Sequence, residues 1–490
     1  MPPANPSSPR LATALARGGI STAIGVWGRF VLQFGTVIIV ARIIGPVEYG
    51  FAAIVLVFSS ISELLRGSGL ASAVLQRRDL TDAIASRVHF ISCAVGAVLG
   101  VALVAAAPAV GSLIGDQRVA TYSPALAAVL VCAGVAAVPT ALFSRNLRFH
   151  ALAAIDFGAA ALGCAVAVAL AVTGWGAASL VWQAVAVAAV QCGAVLIVGR
   201  WRPTRPAPRE AARPYVSFGL NAAVTQTARY VSQNLDRVLL GAAGSSAAVG
   251  MYAQAMQLIQ LPVAQLSAPL QRVIIPGLSR LQGEGERYRN YFRRVLALFT
   301  LVLWPVLALV ALLAPEIIGI LFGEAWLASA ALMRLLLGVG FAAPLVFAAS
   351  WVFVSTGNAR AQSALTVGIA VFTIPAILLG LQHGAGGMAI AVSAASLAST
   401  VPALVLACRR SPLRAGDVLG PLLWPTVVTV LAAGSAALAI SFTGTPLVRL
   451  LLGGGVALAV AGAAIAGIPP IRASARSLLA LVRKRTPDSD

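Results

Sequence analysis

RYVSQNLDRVLL, residues 229–240, places Arg229, Gln233, Asn234, Asp236 and Arg237 within an otherwise apolar run. Two hundred positions earlier, residues 29–40 read RFVLQFGTVIIV, so Arg29, Val31 and Gln33 recur as Arg229, Val231 and Gln233. The same ungapped offset carries Gly50 to Gly250 and Leu70 to Leu270. A second match keeps the order: RNLRFHALAAIDFG (145–158) and GWGAASL (174–180) parallel GNARAQSALTVG (357–368) and GAGGMAI (384–390). Order and spacing together argue for an internal repeat.

The repeat is built from membrane spans. Of 490 residues, 59% are hydrophobic and 10% charged, with a mean hydropathy of +0.91, which no water-soluble surface of this length could carry. Apolar stretches of roughly 20 residues cross ~30 Å of hydrocarbon as helix. They fall at 20–42, 48–75, 88–114, 122–143, 151–173 and 177–199. A second set falls at 214–241, 248–275, 292–314, 328–355, 361–381, 386–408, 418–441 and 446–468. The fold class expected is therefore an all-α integral membrane protein with about 14 transmembrane helices. Such long continuous runs exclude a β-barrel. Six spans per repeat is an even number, so equivalent helices run the same way in both halves and are related by a pseudo-two-fold along the membrane normal. Two six-helix lobes (20–200 and 214–408) are expected, joined by the Pro- and Arg-rich WRPTRPAPREAARP with its linker at 201–213. Two extra C-terminal helices follow in 409–470, flanked by a short tail at 1–19 and a basic amphipathic tail at 471–490.

The net charge of +20 would suggest nucleic acid in a soluble chain. Here the arginines crowd the loops of one side, whereas only Arg42, Arg118 and Arg449 mark the other. That positive-inside bias puts both termini in the cytoplasm, and no nucleic-acid partner is expected. Residues 1–19 have no apolar core of their own, so the first span serves as an uncleaved insertion signal. Cys93, Cys132, Cys164, Cys192 and Cys408 are isolated within apolar spans, with no metal-binding spacing, and no cofactor is expected.

An ionisable group near the bilayer centre costs roughly 2.5 to 3.5 kcal/mol, so it faces a cavity or a partner. Arg29 lies about ten residues into the first span, near mid-membrane at 1.5 Å per residue. Thr22, Gly25, Arg29, Gln33 and Thr36 form one stripe, and Asn221, Thr225, Arg229, Gln233 and Asp236 form its counterpart. Ser59, Glu63, Arg66 and Gly67 line the second span, and Gln254, Gln257, Gln265 and Arg272 the eighth. A cavity walled by these helices is cationic and amide-rich. Guanidinium forks bind phosphate and the amides suit sugar hydroxyls, chemistry that fits a lipid-linked diphospho-sugar.

Plainer readings stand beside these. Glu63 and Arg66 fit an intrahelical pair, Asp236 a clasp with Arg229 or Arg237, and Arg272 and Arg334 a snorkel to the interface. Asp156, near the end of its span, reads as interfacial. Glu63 and Asp236 are the acidic candidates for ion coupling. No Walker A, GxSxG or HExxH pattern and no catalytic carboxylate pair is present, so a non-enzyme is expected.

Three segments carry a family resemblance: residues 15–50, ending in GPVEYG; NLDRVLLGAAGSSAAVGMYAQAMQL, 234–258; and IIPGLSRLQ, 274–282. Gly45, Pro46, Glu48, Tyr49 and Gly50 form the turn after the first span, and Asn234, Asp236, Gly250 and Tyr252 the pattern after the seventh. They resemble the polysaccharide-transporter branch of the multidrug/oligosaccharidyl-lipid/polysaccharide exporter superfamily, which includes Wzx-type O-antigen and exopolysaccharide flippases. The resemblance implies two lobes around a V-shaped cavity, and alternating access that carries an undecaprenyl-diphosphate-linked oligosaccharide to the outer leaflet. Arg29 and Arg229 would grip the diphosphate while Gln33, Asn221, Thr225, Gln233, Gln254 and Gln257 line the sugar path. Membrane lipids, a polysaccharide polymerase and glycosyltransferases are the partners expected. A lipid II flippase and a non-transporting scaffold for glycosyltransferases are the alternatives.

Overall fold

A computed structural model describes residues 9–66, 74–75, 80–208, 210, 213, 215–216, 230, 234–442 and 444–467. All regular structure among them is helical. Arg229, Asn221, Thr225 and Gln233, the side chain of Glu63 and the tail 471–490 lie outside what is described. Twelve of the described helices are long and apolar enough to cross a membrane. Many side chains on them have no protein to cover them, including Val98, Val101, Ile197, Val371, Leu379 and Leu458. Apolar surface on that scale is stable only against lipid. The protein is an all-helical, multi-pass membrane protein.

Helix α1, Pro9–Arg66, holds the first two expected spans in one element, broken at Gly45 (φ 74°, ψ 175°). Its apolar part, Trp27–Ser62, has 36 residues, about 54 Å of straight helix and too long for one crossing. Glycine tolerates the positive φ, and Pro46 then starts the next leg, where its missing N–H loses no bond. The GPVEYG stretch is thus the corner between two legs. The seventh expected span, 214–241, falls mainly on residues that are not described, and its end appears as a helical stretch at 234–242.

The chain divides into two compact units, Met1–Gly250 and Met251–Asp490. In the first, α2 (Asp82–Ile114) packs on α3 (Arg118–Arg145), α4 (Phe149–Val172) on α5 (Ala178–Gly199), and α1 on α3 and α4. Thr81 caps α2 by accepting from the Ile84 amide at 3.3 Å. The Pro-rich segment after α5 is pinned to the start of α2. Ala207 N–H donates to Ala83 O (3.0 Å), Thr204 N–H to Ser86 Oγ (2.8 Å) and Arg87 Nε to Ala207 O (2.8 Å). The expected linker thus finds partners for its backbone groups on a helix 120 residues away.

Helix α6, Ser246–Arg280, begins in the first unit and continues into the second. Its first turns cross α1 with backbone touching backbone. A Cβ on Gly50 would stand 1.7 Å from Ser246 O and 2.7 Å from Gly250 N, and one on Gly250 would stand 2.3 Å from Pro46 O. The contact is reciprocal, since Pro46 and Gly50 meet Ser246 and Gly250, their own counterparts at the offset of 200. Only glycine permits helices to approach this closely.

The second unit contains α7 (Gly285–Leu312), the short α8 (Ala314–Leu321) and α9 (Ala328–Leu335), α10 (Leu337–Ser355), α11 (Ala359–Leu381) and α12 (Gly384–Arg409). The five-residue α13 (Ala415–Leu419) leads into α14 (Leu423–Ser441) and α15 (Pro446–Gly467). Here α11 packs on α12, α10 on α12 and α7, and α14 on α7 and α15.

Candidate functional site

Arg29 sits on the first leg of α1 with its side chain 39% exposed. Its partner comes from another helix: Nη1 lies 4.0 Å from Asp156 Oδ2 on α4, and Gln191 Nε2 on α5 donates to Asp156 Oδ1 at 2.9 Å. Asp156 stands about 10 Å along α4 from its start. A cavity of about 40 Å³ adjoins the carboxylate, lined also by Cys132, Thr140, Leu152 and Gln191, with room for a few waters. The three polar groups therefore form a cluster contributed by α1, α4 and α5. Among the described residues the 4.0 Å ion pair is Arg29's one polar contact. Most of its N–H donors have no partner among the described residues.

One turn along, Gln33 is half-buried and its amide has no partner among the described residues. Thr36 is buried and donates to Leu32 O at 2.8 Å, so it is spent on its own helix. Asp236 is buried and accepts from the Arg237 backbone N–H at 2.8 Å. Gln254 is fully enclosed, with neither amide atom partnered among the described residues, whereas Gln257 is half-buried and bonded. Arg334 Nε donates to Ala311 O at 3.2 Å, and Arg272 is exposed. Asp156 and Gln191 are the site residues that helical spacing missed. Arg29 has no acidic residue on its own helix face, and pairing across 127 positions has no periodic signature.

A second polar cluster explains the glutamate of GPVEYG. Glu48 accepts from Arg118 Nη1 at 2.9 and 3.1 Å and from the Ala177 backbone N–H, at the start of α5, at 2.9 Å. Arg118 also donates Nη2 and Nε to Asp116 Oδ2 at 2.8 and 3.0 Å, and its guanidinium lies 4.2 Å from the Phe51 ring centroid. Three turns at one end of the first unit are thereby tied together. Burial pulls the Asp116 carboxyl upward, but the Arg118 hydrogen bonds and charge outweigh it and hold the group below its ordinary value. A carboxyl depressed by folding contributes fully above its unfolded pKa, ~3.9, and loses that contribution as pH falls through the folded value. Asp116→Asn is therefore expected to lower Tm at neutral pH by about a degree or two, as befits a partly exposed pair, and to flatten the decline below about pH 4. An acid limb indistinguishable from that of the unmodified protein would refute this role.

The family model described as polysaccharide biosynthesis protein matches residues 39–331, more than half of the chain. The chain belongs to this polysaccharide biosynthesis family. Glu48, Arg118, Asp156 and Asp236 fall within the matched family segment, and Arg29 ten residues before it. Among relatives, the lipopolysaccharide biosynthesis protein WzxC of Escherichia coli K12 is 22% identical over 304 residues, 62% of each chain. The succinoglycan biosynthesis transport protein ExoT of Rhizobium meliloti is 25% identical over 302 residues, 61% of this chain and 60% of ExoT. The chain thus spans about three-fifths of the length of these curated relatives. Among solved structures, the lipid II flippase MurJ in an inward closed conformation superposes with a TM-score of 0.75 at 13% identity, covering 92% of this chain and 99% of MurJ. At that identity the likeness is one of fold: this member of the family shares the helical architecture of that structure.

Proposed function

We propose that this protein is a flippase that moves an undecaprenyl-diphosphate-linked oligosaccharide from the inner to the outer leaflet of a bacterial inner membrane, with both termini cytoplasmic. Arg29 and Arg229 hold the diphosphate in a cationic cavity. Gln33, Asn221, Thr225, Gln233, Gln254 and Gln257 serve the sugar path, and Glu63 and Asp236 are the acidic groups open to ion coupling. Transport proceeds by alternating access without covalent chemistry.

The observation that carries the reading is Arg29 itself. A guanidinium inside a span, partly exposed and held among the described residues by a single ion pair at 4.0 Å, offers a planar fork to an anion with two charged oxygens. Asp156 then acts as a counter-ion that keeps the arginine soluble in the membrane until a diphosphate takes its place. The names of the relatives, which place them in lipopolysaccharide and succinoglycan biosynthesis, support a lipid-linked sugar as cargo. A peptidoglycan precursor is less favoured, because the MurJ likeness speaks for fold while the sequence relatives belong to surface polysaccharide.

Arg29→Ala and Arg229→Ala are each expected to lower surface polysaccharide export about fivefold or more, roughly 1 kcal/mol of lost binding to a charged partner. Arg29→Lys keeps part of the activity through charge and loses the part that depends on the fork. Full export by both alanine variants at normal protein level would reject the site. Flipping by purified protein in liposomes separates a transporter from a scaffold.

A further inference from the structure

The start of α7 and the short α13 bring an unusual amount of positive charge to one end of the second unit. Arg287, Arg289, Arg293 and Arg294 lie on the first turns of α7, Arg409 ends α12, and Arg410 and Arg414 lie between α12 and α13. Pro412 stands beside Gly285, and α13 packs on α7, so the two groups share one end. The carboxylates of Glu284, Glu286 and Asp417 accompany them, and the first and last are already engaged. Glu284 pairs with Arg287 at 2.7 Å; Asp417, fully buried, pairs with Arg293 and accepts from the Arg414 backbone N–H at 2.8 Å. Arg294 is exposed and has no partner among the described residues.

Beneath this basic rim, a cavity of about 440 Å³ opens between α7 and the start of α14. Arg293 and Arg294 stand at its charged side, Leu298, Leu301 and Pro425 form its apolar wall, and Trp424, 39% exposed, completes it. The composition is graded from cationic to apolar within two turns of helix. A free phosphate would use only the first part, and a neutral acyl chain only the second. Indole favours the same boundary between headgroup and hydrocarbon.

We propose that this cavity is a binding site for an anionic phospholipid of the surrounding leaflet. Arg294 takes the headgroup phosphate, Trp424 lies against the glycerol region, and the first acyl carbons rest on Leu298, Leu301 and Pro425. Basic pockets between membrane helices select anionic headgroups in this way. Arg293 positions the site by holding Asp417, and with it α13, in place. The site lies wholly within the second unit and does not depend on Arg29 or on the transport reading.

The test is the thermal unfolding of the full-length purified protein in detergent, with short-chain phosphatidylglycerol or short-chain phosphatidylcholine added. Phosphatidylglycerol is expected to raise Tm by about 4 °C and phosphatidylcholine by about 1 °C or less. Arg294→Gln and Trp424→Leu should each remove at least half of the phosphatidylglycerol shift, while Arg289→Gln, at the same end but outside the cavity, should leave it intact. Should Arg294→Gln fold poorly, Trp424→Leu carries the same test alone. Equal shifts with the two lipids would overturn the proposal, as would an undiminished shift in both cavity variants. A loss in Arg289→Gln as large as in Arg294→Gln would make the effect diffuse attraction and also overturn it. Glycerol phosphate is expected to give no shift, and a shift matching that of phosphatidylglycerol would replace the lipid with a soluble anion.

Discussion

Replacing Gly50 with alanine is expected to destabilise the protein by roughly 3 kcal/mol, the upper end of the cost of overpacking. The added methyl would lie 1.7 Å from Ser246 O and 2.7 Å from Gly250 N, both backbone atoms that cannot rotate away. The α1–α6 crossing must open or the helices must bend. Gly250→Ala meets Pro46 O at 2.3 Å and should behave similarly. Since both variants force apart the same contact, the double variant should cost less than the two single costs together. Gly434, mid-helix on α14 with nothing within 4 Å of its added Cβ, is the control. Gly434→Ala should be neutral or stabilising by up to about 1 kcal/mol. Thermal unfolding of the four variants in detergent decides the matter: equal midpoints for Gly50→Ala and Gly434→Ala would show that the close crossing does not exist.

Glu48→Ala is expected to cost roughly 2 kcal/mol, near the middle of the range for removing hydrogen bonds to a charged group. The carboxylate ties Arg118 to the α1 corner and satisfies the Ala177 N–H at the start of α5, where helix N-termini lack internal partners. Partial exposure of Glu48 and Arg118 keeps the figure from being larger, because water screens the pair. Glu48→Gln retains an acceptor for Ala177 and loses the charge, so its effect should fall between the unmodified protein and the alanine variant. Double-variant analysis with Arg118→Ala isolates the pair: the second substitution should add little to Glu48→Ala beyond the loss of the Asp116 contact. Full additivity would mean that Glu48 and Arg118 act independently, against the geometry seen here.

Much of the membrane architecture is visible in the linear chain, because a span is a local property. Twenty consecutive apolar residues need no knowledge of their neighbours to be stable in hydrocarbon as helix. The corner at Gly45–Pro46 is equally local, since the two residue types break a helix by their own backbone geometry. The pairing of Gly50 with Gly250 is hinted at by the offset of 200, although the repeat says only that the two are equivalent. The contact between them, at backbone distance, is a fact of packing.

The sequence by itself determined an all-helical membrane protein, the corner in α1, the internal similarity and the presence of a charged residue deep in the first span. The tertiary structure alone decided what that residue meets. Asp156 reaches Arg29 from a helix more than a hundred residues away and is itself held by Gln191 on the next helix, and Glu48 joins Arg118 and Ala177 from two further stretches of chain. Hydropathy and periodicity sum over neighbours in the chain. Ion pairs and helix crossings depend on distances through space, which become defined only when the helices have packed.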